Sequence, residues 1–226
     1  KRLKMNSRVL VVSPHPDDET LGAGGTILRY KSKGKPVYWL NFTNMLEEYG
    51  YSRKEVTQRQ NEIERVIGYY DFDGFFDLHL EPAGLDKYPR KELIAQTASI
   101  MKEISADTVI LPFRNDVHSD HRITFDVLLS CTKIFRYPSI KKILMMEVLS
   151  ETDFSCFDRG FSPNYFVDIS GFIEKKLEIL KVYQNQLEPH PFPRSVEHIK
   201  ALALHRGVAA GCRYAEGFIL LKEVEN

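Results

Sequence analysis

The sequence predicts an α/β fold: a mostly parallel sheet with helices on both faces, followed by a less regular C-terminal portion. Three observations carry this. Short apolar runs alternate with helical stretches through the first two thirds of the chain, and a βαβα order builds a parallel sheet. The first run, RVLVVS, is nearly all apolar, as a strand covered on both faces should be. Finally, 226 residues that are 43% hydrophobic and 12% aromatic are enough for one domain with a large core.

The elements follow in order. Residues 8–13 form the first strand. Residues 21–33 read as a helix, stopped by Gly34 and led out by Lys35 and Pro36. Residues 37–43 (VYWLNFT) are a second strand. Val56, Ile63, Val66 and Ile67 fall near a 3.6-residue period, which predicts a helix over 52–70. A strand at 74–80, a helix at 91–104 and a strand at 108–112 (TVILP) come next. The polar loop FRNDVHSDH then leads into a helix at 123–135, and a fifth strand covers 142–148. Beyond it lie a strand at 165–168, helices at 171–186 and 195–210 and a last strand at 218–222. The Pro-rich turn EPHPFPRS separates the two late helices. A single domain over 1–226 is expected, with a core in 1–150 completed by 151–226.

Charge and cysteine usage narrow the function. Lys+Arg and Asp+Glu both number 31, so no charge excess favours a nucleic acid or an anionic membrane as partner. Cys131, Cys156 and Cys212 are odd in number and widely spaced, the usage of free cysteines in a reducing compartment. No apolar stretch approaches the roughly 20 residues that span a bilayer. The opening KRLKMNSRVLVV runs straight into a strand, unlike a signal peptide, and Met5 reads as the original initiator. The expected location is cytoplasmic.

Two motifs carry the chemistry. The first strand ends in Ser13-Pro14-His15-Pro16-Asp17-Asp18-Glu19, and the fourth is followed by His118-Ser119-Asp120-His121-Arg122. In an open parallel sheet, ligands bind beyond the carboxyl ends of the strands, where the strand order reverses. With the common order 3-2-1-4-5, strands one and four are neighbours there, and the two motifs meet. Two imidazoles and a carboxylate, His15, His121 and Asp18, make the three-ligand pattern of catalytic zinc. Asp17 is then free to act as general base toward a metal-activated water. Protonated His118, oriented by Asp120, would stabilise the oxyanion. Alone, either motif has a bland reading: the aspartates can cap a helix, and the histidines can lie on the surface.

SPHPDDETLGAGGT, with HSDHR after the fourth strand, resembles the LmbE/PIG-L family of zinc-dependent N-deacetylases. Arg59-x-x-Glu62 before Ile67-Gly68, and the late Tyr214-Ala215-Glu216-Gly217-Phe218, extend the resemblance over most of the chain. It implies a Rossmann-like sheet, with His15, Asp18 and His121 as zinc ligands (iron(II) or another divalent ion being possible), Asp17 as base, and His118 with its partner Asp120 at the oxyanion or leaving amine. It further implies a small-molecule substrate, an N-acetylated amino sugar, nucleotide sugar or other conjugate.

Glu48, Arg59, Arg194 and Arg206 are candidates for substrate binding, each with an ion-pair alternative. His79, His190, His198 and His205 read as structural and Trp39 as core, while Gly22–Gly25 reads as close helix–sheet packing. A nucleotide-cofactor oxidoreductase is disfavoured, because Asp17, Asp18 and Glu19 would repel a pyrophosphate at the first turn. A noncatalytic sugar-binding module would be expected to have lost a ligand or the base. An amidase acting on a larger conjugate is the nearest alternative.

Overall fold

A computed structural model describes residues 7–155 and 160–225, so that Met5 and Cys156 lie outside the described residues. One seven-stranded sheet organises them. Its strands are β1 (Val9–Ser13), β2 (Val37–Thr43), β3 (Gly74–Leu80), β4 (Thr108–Pro112), β5 (Lys142–Met146), β6 (Tyr165–Asp168) and β7 (Ala215–Glu223). The order is β3-β2-β1-β4-β5-β7-β6, which contains the expected 3-2-1-4-5 arrangement. β1 pairs in parallel with both β2 and β4, and β7 runs antiparallel between β5 and β6.

Among the described residues, six α-helices cover the sheet: α1 (Asp18–Ser32), α2 (Arg53–Tyr70), α3 (Arg90–Ile104), α4 (Ser119–Ser130), α5 (Ile173–Leu180) and α6 (Val196–Ala210). Alternation along β1 divides the core in two, because successive strand side chains point to opposite faces. Val9 and Val11 pack with side chains of α1, α2, α5 and α6, whereas Leu10 and Val12 pack with those of α3 and α4.

Several helices depart from the expected bounds. α1 and α4 begin three and four residues earlier than predicted, drawing Asp18 and Asp120 into their first turns, where acids suit the positive end of the helix dipole. α5 is only eight residues long. α2 starts where Ser52 and Glu55 form a capping box.

The glycines of α1 behave as expected. A Cβ on Gly22 would lie 2.7 Å from the Met146 sulfur of β5, and one on Gly25 would lie 2.6 Å from Ile169. Trp39 is fully buried and donates its indole N–H to Ser13 Oγ (2.7 Å). His79 sits exposed on the edge strand β3. Among the described cysteines, Cys131 is free and buried and Cys212 is free and half-buried. No described helix is long and apolar enough to cross a membrane.

Candidate active site and metal centre

The loop after β1 and the loop before α4 converge at the carboxyl end of the sheet. The rings of His15, His118 and His121 gather there, with centroids 4.6 to 5.6 Å apart. Ligand atoms of His15, Asp18 and His121 lie within 4.8 Å of one another.

Each of the two imidazoles in this group has one nitrogen held by a buried carboxylate. His15 Nε2 lies 3.0 Å from Asp120 Oδ2, and His121 Nδ1 lies 2.8 Å from Asp116 Oδ2. That leaves His15 Nδ1 and His121 Nε2, facing Asp18 Oδ2 at 3.3 and 3.2 Å, as the nitrogens whose lone pairs would become available when a cation displaces their protons. His121 Nε2 is buried and has no hydrogen-bond partner. Two imidazole nitrogens, one of them orphaned, converging with a carboxylate oxygen fit a divalent cation.

The charge balance points the same way. Asp17, Asp18, Glu19, Asp116 and Asp120 are all buried here, with Arg59 and Arg194 as the neighbouring guanidinium groups. Burial opposes charge on His15, yet bonds to Asp120 and Asp18 lift it to about 9. His121 is likewise lifted, against burial, to about 10 by Asp18 and Asp116. Asp18, despite burial, is held well below the usual carboxylate range by His121 and His15. The cluster favours positive charge between its carboxylates.

Asp17 differs from its neighbour. It occupies the N-cap position of α1, but its side chain makes no capping bond, so the capping alternative does not explain it. Its φ of 137° and ψ of −29° lie outside the regions open to residues with a Cβ, and such backbone costs about 1–3 kcal/mol. Burial and the adjacent Asp18 push its carboxyl up to about 6, against the pull of Arg194. Arg194 Nη1 donates to Asp17 Oδ2 at 2.8 Å and also to Gln186.

One expectation is corrected here. The Asp120 carboxylate lies within 4.8 Å of a His118 ring nitrogen, but the hydrogen bond that fixes the His118 ring comes from the Asp120 backbone. The Asp120 carboxylate instead accepts the N–H groups of Ala83 (2.7 Å) and Leu85 (3.1 Å), besides facing His15. His118 is the N-cap of α4, and its Nδ1 accepts the Asp120 N–H (3.1 Å). Its remaining proton is therefore on Nε2. Burial and the charge on His15 lower it to about 4, so it is neutral rather than protonated.

The four candidates for substrate binding separate. Arg59 and Arg194 line the cavity of about 250 Å³ that also exposes His15, Asp18 and His118. Arg59 is buried, donates to the Pro16 carbonyl (3.0 Å) and pairs with Glu62 (3.4 Å). Arg206 is held by two bonds to Glu147, at 3.0 and 2.6 Å, and does not line this cavity. Glu48 is exposed and likewise does not line it. Sequence reasoning missed Asp116. The available signal was an acid five residues before a candidate ligand histidine, in a loop that returns to the sheet edge.

The chain belongs to the PIG-L family, whose family model, described as GlcNAc-PI de-N-acetylase, matches residues 10–132. A diacetylchitobiose deacetylase from Thermococcus kodakarensis is 27% identical over 225 residues, covering 93% of this chain and 81% of that protein. Two solved structures share the fold. The N,N′-diacetylchitobiose deacetylase of Pyrococcus horikoshii, complexed with an inhibitor, aligns with a TM-score of 0.76 at 24% identity, over 97% of this chain and 85% of that one. A 4-carboxy-2-hydroxymuconate hydratase from Pseudomonas putida also aligns at 0.76, with 17% identity over 97% and 99% of the two chains. Because the fold hosts both chemistries, the reaction has to be argued from the site.

Proposed function

We propose that this protein is a metal-dependent N-deacetylase acting on an N-acetylated amino sugar joined to a further polar group. The observation that carries the reading is the arrangement of ligand atoms: His15 Nδ1, His121 Nε2 and an Asp18 oxygen face one point, with Asp17 beside it and outside the ligand set. Those three residues would hold the ion, zinc or iron(II). When bound, it would polarise the amide carbonyl and make a water more acidic.

The chain's own groups supply the rest. Asp17, buried beside the ligand set, takes the proton of the attacking water as oxygen bonds to the acyl carbon. His118 offers its Nε2–H to the carbonyl oxygen as negative charge develops there, acting as a neutral donor. The C–N bond then breaks as the amine nitrogen receives the proton that Asp17 took up, and acetic acid leaves, giving its remaining acidic proton to solvent to become acetate.

The shape of the site supports a conjugate rather than a lone sugar. A second, polar hollow beside Gln58, Gln184 and Asn185 shares Met45, Arg59 and Gln186 with the cavity as lining residues. Amide side chains of this kind suit hydroxyl-rich ligands. Amine release from N-acetylglucosamine, diacetylchitobiose, a nucleotide-linked and an acid-linked N-acetylglucosamine tests the reading. Release from at least one linked sugar, faster than from the free monosaccharide, is expected. No release from any member would refute it.

A further inference from the structure

Glu19 is fully buried beside the site, and none of the chemistry above uses it. Its Oε2 accepts the backbone N–H of Asp17 at 3.0 Å, and its Oε1 accepts the hydroxyls of Thr20 (2.5 Å) and Tyr183 (2.8 Å). The Thr20 hydroxyl in turn accepts that of Tyr70 on α2 (3.0 Å). One carboxylate thus ties the Asp17 backbone to α1, to α2 and to the segment after α5.

Asp17 needs such a tie. Backbone at φ 137° relaxes unless its surroundings hold it. The Asp17 carbonyl is held by the N–H groups of Thr20 (3.0 Å) and Leu21 (2.8 Å), which fixes the peptide plane after the residue. The plane before it carries the Asp17 N–H, for which Glu19 is the acceptor. Arg194 grips the far end of the side chain but does not set the direction in which Cβ leaves the backbone.

We propose that Glu19 is a positioning residue, whose anchored carboxylate locks the strained Asp17 backbone and so aims the Asp17 carboxylate at the attacking water. The inference rests on the reading of Asp17 as base. It is tested with full-length Glu19→Ala, Glu19→Gln, Asp17→Asn and the Asp17→Asn/Glu19→Ala double variant. Each is measured for kcat, KM, metal content and thermal midpoint, with the most rapidly hydrolysed sugar of the panel above.

Glutamine keeps an oxygen for the Asp17 N–H, and alanine keeps none. Glu19→Ala is expected to lower kcat about 100-fold, the cost of a misplacement of about 1 Å, with KM and metal content within about twofold of the parent. Glu19→Gln is expected to restore kcat to within about fivefold of the parent. In the Asp17→Asn background, Glu19→Ala should cost less than about twofold, because a residue that acts through the base has nothing left to aim.

A folded Glu19→Ala variant with parental kcat overturns the proposal, and so does an equal loss in both backgrounds. If Glu19→Ala does not fold, Tyr183→Phe removes one anchor. An about fivefold lower kcat, seen only when Asp17 is present, supports the proposal, and an unchanged kcat overturns it. Parental turnover in Asp17→Asn would instead remove the base reading. Inactivity of the wild-type protein on every sugar would remove the deacetylase reading. Either result takes this inference with it, and each is distinguishable from failure of Glu19 alone.

Discussion

Asp116 Oδ2 lies 2.8 Å from His121 Nδ1, and neither side chain has any exposed surface. The other Asp116 oxygen accepts the Thr152 hydroxyl at 2.7 Å, so the carboxylate is fixed at both ends. This contact turns His121 Nε2 toward Asp18 (3.2 Å), the side on which a metal would bind. Asp116→Ala should therefore weaken metal binding by about 10- to 100-fold, as loss of such a partner generally does. Competition with a chromogenic chelator measures it, and an unchanged affinity would show that Asp116 only fills space.

Asp17 and His121 should fail in different ways. Asp17→Asn removes the proton acceptor and leaves all three ligands, so turnover should fall by about 10²–10⁴-fold with metal content retained. His121→Ala should lose the metal together with the activity. Metal analysis beside kinetics separates the two, and equal metal loss would mean that base and ligand have been exchanged.

The buried ion pair between Lys176 and Glu216 (2.7 Å) joins α1 to α5 and β7. Glu216 accepts the N–H groups of Gly25 (2.8 Å) and Thr26 (2.7 Å), and Lys176 donates to the Leu21 carbonyl (2.8 Å). Glu216→Ala strands a buried ammonium and two N–H groups, which should cost about 3–5 kcal/mol in urea unfolding. A change below about 1 kcal/mol would mean that water replaces the carboxylate.

Two glycine substitutions should have opposite signs. Gly25→Ala drives a methyl against Ile169 and should destabilise the fold by about 1–3 kcal/mol. Gly68 lies in α2 with open space around it, and Gly68→Ala should stabilise by about 0.5–1 kcal/mol. Thermal midpoints moving in the same direction would contradict this account of α1 packing.

The meeting of the two motifs was legible because it follows from strand order alone: β1 and β4 are neighbours wherever a parallel sheet reverses there. Roles that depend on the direction of a side chain were not legible. Asp120 and His118 are near in sequence, yet Asp120 points to backbone N–H groups 35 and 37 residues away. Arg206 looked available for a ligand because its partner Glu147 lies 59 residues earlier. Glu19 reads in sequence only as a third acid at a crowded turn, since its hydroxyl partner Tyr183 is 164 residues distant. The insertion of β7 between β5 and β6 also escaped the sequence, because short C-terminal strands carry no signal for their pairing partners.

Amine release from chelator-stripped protein, titrated with zinc and separately with iron(II), tests the central claim most directly. Activity should be absent at the start, rise in proportion to added metal and level off at about one ion per chain. Undiminished amine release from the stripped protein would contradict a metal-dependent deacetylase built on His15, Asp18 and His121.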